Sequence, residues 1–489
     1  YELGREVARS RAPDVHEEFR RRVSAQAGSV REALTAGAFE GGYHVGLELE
    51  GYAVDDEGRL ATVPDAVFGD YCERELGRHN AEMNTPATPF NPEGVAGQTE
   101  RLAERLETVR DALAARGRRF VTDGMWTVEP PEGALTYLTA THEEAGRRVP
   151  TNMSPDGRYY ALDADITAAG GVELSVPGCR RTFSSILVES LTASTQIHLQ
   201  TPPERFARYF NAALRTTGPV LALGANSPFL PPSLYTDPAT ETALSAGVEL
   251  RVPAFETLNV RDPGKVRFPD DVADAGAAVD RIADDRRCAP YLREWVADGP
   301  RDDFRDEHWE LLHKGSTCWR WVRPVLGPTG PRIEYRVLAA QPSVPDVTGF
   351  QALVAGLVHG VVVTDHPLPD LSWAAARESF YAAVQDGLDA DLAWLTRDGD
   401  RVDDPERVYP DLFAVARAGL RDRGFEDETV DDLLAPVERR WTERTTPATW
   451  KRAWVRDRLD DGADLAAAIE ATQQDYVDRT ATDAPFVDW

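Results

Sequence analysis

Four short segments of this chain alternate polar and apolar residues so regularly that each reads as a strand with one wet and one dry face. Successive side chains of a strand point to opposite sides, so residues two apart share a face. In residues 43–51, Val45, Leu47 and Leu49 lie on one side and Glu48 and Glu50 on the other. Glu82 and Asn84 share a face opposite Met83, and Ser194, Gln196, His198 and Gln200 share one opposite Ile197 and Leu199. In residues 332–337, Glu334 and Arg336 oppose Ile333, Tyr335 and Val337. Turn residues such as Asp55-Asp56-Glu57-Gly58 punctuate the short alternating runs, as between antiparallel strands. The spacing does not fit a doubly wound parallel sheet. It predicts an α+β fold with a helical C-terminal part.

Helical spacing accounts for much of the rest. Residues 1–40 read as a helical lead-in, 41–365 as the sheet-bearing domain, and 366–489 as a mainly helical region packed on it. Leu102, Leu106, Val109 and Leu113 mark an amphipathic helix over 98–119. Further helices are expected over 182–192, 204–223 and 270–286, and two strands within 319–337 around Gly327-Pro328-Thr329-Gly330. The apolar stretch at 353–363 reads as a buried helix, too short for a membrane span of about 18 residues or more. Residues 1–11 lack the apolar stretch of a secretory signal.

Charge narrows the function. The 489 residues carry 82 acidic and 54 basic side chains, a net charge of -28, so no basic footprint for nucleic acid is present. Lysine is confined to Lys265, Lys314 and Lys451, and the remaining cations are arginine. Such a surface points to a high-salt cytoplasm, where dense carboxylates keep a protein hydrated. The four cysteines are scattered, with no CxxC pair, and read as reduced thiols.

If the four alternating strands share one sheet, a single face gathers Glu48, Glu50, Glu82, His198, Glu334 and Arg336. Carboxylates that close repel unless cations lie between them. Mg²⁺, which prefers oxygen ligands, is the natural occupant, and one histidine also admits Mn²⁺. An arginine on the same face suits phosphate. Periodicity alone leaves the alternative open that each pair is a solvated face of an acidic protein.

The order of motifs adds a resemblance. Gly46-Leu47-Glu48-Leu49-Glu50 resembles the Gly-x-Glu-x-Glu opening strand of the glutamate–cysteine ligase family, in its bacterial and archaeal carboxylate–amine ligase branch. The run from Glu75-Leu76 to Glu82-Met83-Asn84-Thr85-Pro86 is similar to the family's next motif, and Gln196-Ile197-His198 to its central histidine strand. Trp319-Arg320-Trp321-Val322-Arg323-Pro324 with Glu334-Tyr335-Arg336 resembles its later strand pair, and Thr449-Trp450-Lys451-Arg452 a motif near the end.

The resemblance implies a glutamine-synthetase-like cup: a curved antiparallel sheet with helices outside. It implies Glu48, Glu50, Glu82, His198 and Glu334 as metal ligands around Mg²⁺. Glu48, Glu50, Glu82, Glu334 and Arg336 become the catalytic set, and Arg323 and Arg336 the contacts to ATP. Arg251, Arg158 and Tyr159 become candidate substrate contacts, the last two open to a plain loop reading. The implied reaction phosphorylates a carboxylate, that of glutamate foremost, and passes it to cysteine or another amine. A homodimer is compatible with the branch, and no membrane partner is implied. His198-Leu199-Gln200 and Met125-Trp126 depart from the family pattern near the substrate, which leaves the amine open. A nucleotide-binding relative without turnover and a metal-dependent phosphohydrolase are the competing readings.

Overall fold

The computed structural model describes residues 2–144, 146–236, 240–262, 264–285, 288–296, 299 and 301–489. Its central sheet is built from β1 (His44–Asp55), β2 (Leu60–Ala61), β3 (Glu73–Arg74), β4 (Asn80–Asn84), β5 (Thr88–Pro89), β6 (Arg118–Val121), β7 (Ser194–Gln200), β8 (Val322–Gly327) and β9 (Gly330–Ala339). The order across it is β8-β9-β7-β1-β4-β3, every pairing antiparallel. The long strand β1 changes partners along its length: β7 flanks residues 44–49 and β6 flanks residues 52–55. Gly51 sits at the changeover, where a Cβ would come within 2.5 Å of the Val121 carbonyl oxygen. Any larger residue would push β6 away.

The helices that bear on the site are α1 (Glu2–Ser10), α2 (Pro13–Thr35), α3 (Pro92–Ala114), α4 (Gly157–Ile166), α5 (Phe206–Gly224), α6 (Ala275–Asp284), α7 (Trp309–Ser316), α8 (Val344–Val363), α9 (Pro447–Asp460) and α10 (Leu465–Thr480). The sheet's dry face carries Val45, Leu47, Leu49, Met83, Ile197, Ile333, Tyr335 and Val337, all buried in one large core with α3, α5 and α8. α8 is long and apolar enough by composition to cross a bilayer. It is buried along nearly its whole length, so its apolarity serves the core.

A second, smaller core lies on the opposite side of the sheet. Phe19, Val23, Ala27 and Val30 of α2 meet Val279 and Ile282 of α6, Leu311 of α7 and Leu326 of β8. This layer stands over the polar face.

Several boundaries differ from the spacing. The helix expected over 98–119 begins at Pro92, where Asn91 caps it by accepting a bond from Gly94 N (2.8 Å). It stops before Gly117, whose φ is +65°, and residues 118–121 join the sheet instead. The 182–192 segment is not an α-helix. It holds the end of a hairpin strand (Cys179–Phe183) and then a 3-10 segment, Ile186–Leu191. Ser185 interrupts the run by accepting from Leu187 N, and Asp163 draws off Ile186 N. The 270–286 helix shortens to α6 because Asp274 caps its start; Arg286 lies outside the described residues.

Candidate active site

Strand register lines the polar residues up in rows across the sheet. Arg323 pairs with Glu334, and Glu334 with His198. Gln196 pairs with Glu48, and Glu48 with Asn84. Glu50 pairs with Glu82, and Glu82 with Glu73. Gly46 stands opposite His198, so its cross-strand position carries no side chain. Like charges directly opposite one another destabilise a sheet. The row of three glutamates is therefore a cost that ordinary folding does not explain.

Two groups of ligand atoms converge on this face. Glu48, His198 and Glu334 form one, and Glu50, Glu75 and Glu82 the other; within each group the candidate atoms lie within 4.8 Å of one another. The groups differ in how their charge is met. Glu334 takes Arg323 Nε at 2.7 Å and Nη2 at 3.1 Å, and Arg336 Nη1 at 2.6 Å. Burial pushes Glu334 up, but these two guanidiniums reverse it and hold the carboxyl well below its usual range. Glu48 behaves likewise: burial raises it, and His198, 2.9 Å away, brings it below its ordinary value. His198 Nδ1 accepts from Arg332 Nε (2.9 Å), which leaves its proton on Nε2, facing Glu48.

In the second group Arg336 offsets burial only in part. Burial and the neighbouring Glu50 push Glu75 up to about 8. Burial together with Glu48, Glu75 and Glu50 pushes Glu82 well above the carboxylate range. Glu50 is also raised by burial, although Ser194 N (2.7 Å), Ser194 Oγ (2.9 Å) and Gln196 Nε2 (2.7 Å) donate to it. Three converging, partly buried carboxylates that resist ionising together fit a hard divalent cation. The first triad fits one only when the neutral imidazole carries its proton on Nδ1, which requires Arg332 to let go of that nitrogen.

Above the sheet lies a cavity of about 560 Å³, within the range of small-ligand sites. Its floor carries Glu48, Glu50, Glu82, Glu334, Arg323 and Arg336. Its roof includes Arg158 and Tyr159 at the start of α4 and Leu311, Leu312 and His313 on α7. Arg158 and Tyr159 thus sit on a helix rather than in a loop. α1 packs on α4, and Glu6 bonds Tyr291, so the N-terminal helices brace this roof.

Sequence reasoning placed Arg251 at the substrate, and the structure corrects this. Arg251 is 2% exposed and does not line the cavity. It donates to Glu249 (3.2 Å) and to the Val337 carbonyl (2.6 Å), and its guanidinium stacks over Trp321 at 5.1 Å. It supports β9 just beyond Arg336. Conversely, Glu75, Glu189, Gln196 and Arg332 were missed. Gln196 bridges Arg336 Nη1 (2.5 Å) and Glu50, so it could have been found as a polar residue on the same strand face. Glu75 lay in plain view within the second motif but outside any alternating run. Glu189 gives no periodic signal at all.

The arrangement has relatives among known proteins. The glutamate–cysteine ligase of Francisella tularensis, solved in complex with AMP, is similar with a TM-score of 0.52 at 14% identity, covering 91% of this chain and 94% of that one. A bifunctional glutathione synthetase from Pasteurella multocida gives a TM-score of 0.53 at 15% identity. That match covers 92% of this chain and 54% of the other, so this chain spans about half its length. At these identities the likeness is one of fold: a curved antiparallel sheet with helices outside, as the motifs implied. No curated protein matches in sequence. The profile of Glutamate-cysteine ligase family 2 (GCS2) matches residues 44–483.

Proposed function

The chain belongs to Glutamate-cysteine ligase family 2, and we propose that it is an ATP- and divalent-cation-dependent ligase that joins the carboxylate of a glutamate-like substrate to an amine. The observation that carries this reading is five carboxylates on one cavity, three in one group and two with His198 in another, beside Arg323, Arg332 and Arg336. Glu50, Glu75 and Glu82 would hold one cation, Mg²⁺ foremost, and Glu48 and Glu334 with His198 a second. Bound there, the cations supply positive charge to phosphate oxygens and let the glutamates remain ionised together.

The remaining work falls to the chain's own side chains. A carboxylate is a poor electrophile until it is phosphorylated. Its oxygen attacks the γ-phosphorus of ATP, the new O–P bond forms, and ADP leaves with the electrons of the old one. Arg323, Arg332 and Arg336 offer fixed positive charge to the transferring phosphoryl group. Glu334 and Gln196 already hold Arg323 and Arg336 in place, so little reorganisation is needed there when charge moves. The amine nitrogen then attacks the acyl carbon, the C–N bond forms, and inorganic phosphate departs. Cysteine is the leading acceptor, with other amines open.

The test is amine-dependent ADP release. Enzyme given ATP, Mg²⁺ and glutamate in concentrated salt should release ADP only when the right amine is added from a pool, and mass spectrometry should find the amide. ADP release that ignores both glutamate and amine would favour a phosphohydrolase and overturn the reading.

A further inference from the structure

One carboxylate at the cavity wall stands outside both groups of candidate ligands. Glu48, Glu50, Glu75, Glu82 and Glu334 belong to the triads, and the exposed Glu73 accepts from Asn84 Nδ2 at 2.9 Å. Glu189 lines the same cavity, yet its carboxylate joins no hydrogen bond or ion pair among the described residues. Four of the arginines that line the cavity are bonded to other groups. Arg158 is paired with Asp156, Arg323 and Arg336 with Glu334, and Arg332 with His198.

The backbone that carries Glu189 is held firmly. Thr192 N and Oγ1 both donate to the Glu189 carbonyl at 2.9 Å. The next carbonyl, that of Ser190, is held by His79 Nε2 at 2.9 Å and Trp126 Nε1 at 3.0 Å. Upstream, Ser185 Oγ and Asp163 Oδ1 hold Leu187 N and Ile186 N. The carboxylate itself is partly buried at the cavity wall, where burial and the neighbouring Glu75 and Glu50 push it well above the carboxylate range against the pull of Arg336 and Arg251, which makes it a stronger base. A rigid shell around an unpaired group is the mark of a binding position.

We propose that Glu189 receives the ammonium group of the acceptor amine and takes one proton from it, so that the amine reaches the acyl carbon as a nucleophile. This rests on the ligase reading above. The acceptor binds as R–NH₃⁺, and Glu189 accepts one proton to leave R–NH₂. That nitrogen forms the C–N bond while the acyl C–O bond to phosphorus breaks. The departing phosphate takes the electron pair and the second proton lost by nitrogen, and Glu189 returns its own proton to solvent.

Hydroxylamine separates this role from others, because it is already unprotonated at neutral pH and gives a coloured hydroxamate with the activated carboxylate. The comparison is wild type against Glu189→Gln, with hydroxylamine and with the amine that the wild type takes from a pool of cysteine, 2-aminobutyrate, ammonium and methylamine. Glu189→Gln should lose on the order of a hundredfold or more in kcat/KM with the amine, the usual span of a lost general base. It should keep hydroxamate formation within a few-fold, with unchanged KM for ATP and glutamate, and recover amine activity as pH rises. Equal loss with both acceptors would overturn the proposal, and so would undiminished amine activity. A raised glutamate KM with both acceptors would assign Glu189 to the donor's amino group and overturn it as well. A wild type that makes neither amide nor hydroxamate would instead refute the ligase reading itself, a separate result.

Discussion

Beneath the sheet, Lys451 of α9 lies 3% exposed against Asp123, which is wholly buried. Lys451 Nζ stands 2.5 Å from Asp123 Oδ1, 2.9 Å from the Asn226 carbonyl, and 4.1 Å from the centre of the Tyr476 ring. Asp123 Oδ2 takes further bonds from Gln473 Nε2 (2.6 Å) and the Tyr52 hydroxyl (3.3 Å). This network ties the C-terminal helices to β1 two residues beyond Glu50. Replacing Lys451 by methionine keeps the bulk and strands the aspartate charge. Breaking a buried pair in this way typically costs about 3–5 kcal/mol. Gln473 and Tyr52 still serve Asp123, which places the expected loss near the lower end, about 3 kcal/mol. Adding Asp123→Asn should then recover about 2 kcal/mol, because a neutral amide keeps those two partners and removes the unpaired charge. Urea titration followed by tryptophan fluorescence reads both values. They should be the same in dilute and concentrated KCl, since a buried pair escapes screening. A loss under about 1 kcal/mol for Lys451→Met, or no recovery in the double variant, would refute this view of the network.

Three other outcomes follow from the same reasoning. Glu82 has no hydrogen-bond partner among the described residues and is crowded by Glu48, Glu75 and Glu50; Glu82→Gln should abolish turnover yet raise the melting temperature measured without divalent cation, and a lowered melting temperature would count against the repulsion argument. Burial holds His79 down to about 4 against an ordinary 6.5, so below pH 6.5 the unfolded chain binds a proton that the native one refuses. Stability should therefore fall as pH drops through that window, by up to about 1.4 kcal/mol per unit, and His79→Gln should flatten the slope. All three lysines are buried, at 1%, 9% and 3% exposure, so arginine is left to answer the surface carboxylates and a net charge of -28 remains over the chain; the unfolding midpoint should climb with KCl as self-repulsion is screened, and a salt-independent midpoint would remove the case for a high-salt setting.

What could be read in advance followed the length scale of the signal. The period of two put Glu48, Glu50, Glu82, Glu334 and Arg336 on the wet faces of their strands, and the apolar residues between them went into the core as expected. That Glu50 and Glu82 would stand directly opposite each other needed the register, which one strand's sequence does not contain. Glu75 and Glu189 escaped because a bend after β3 and a 3-10 segment have no alternation to betray them. Arg251 misled because a guanidinium is usually found at a surface or a ligand, whereas here Glu249 and two backbone carbonyls satisfy it in the interior. The roof was illegible for another reason. Its pieces, α1 with α2, α4 and α7, are far apart in the chain; α1 and α4 pack in the main core, α2 and α7 in the second.

The central claim is that the acidic cup activates a carboxylate with ATP rather than simply cleaving ATP. Glutamate labelled with ¹⁸O in its side-chain carboxylate tests this directly, in a reaction with ATP, Mg²⁺ and the accepted amine. The account predicts that one ¹⁸O appears in each inorganic phosphate released, because the acyl C–O bond breaks after that oxygen has joined phosphorus. Phosphate free of label, released at the same rate as ADP, would mean that water attacked the nucleotide and would contradict it.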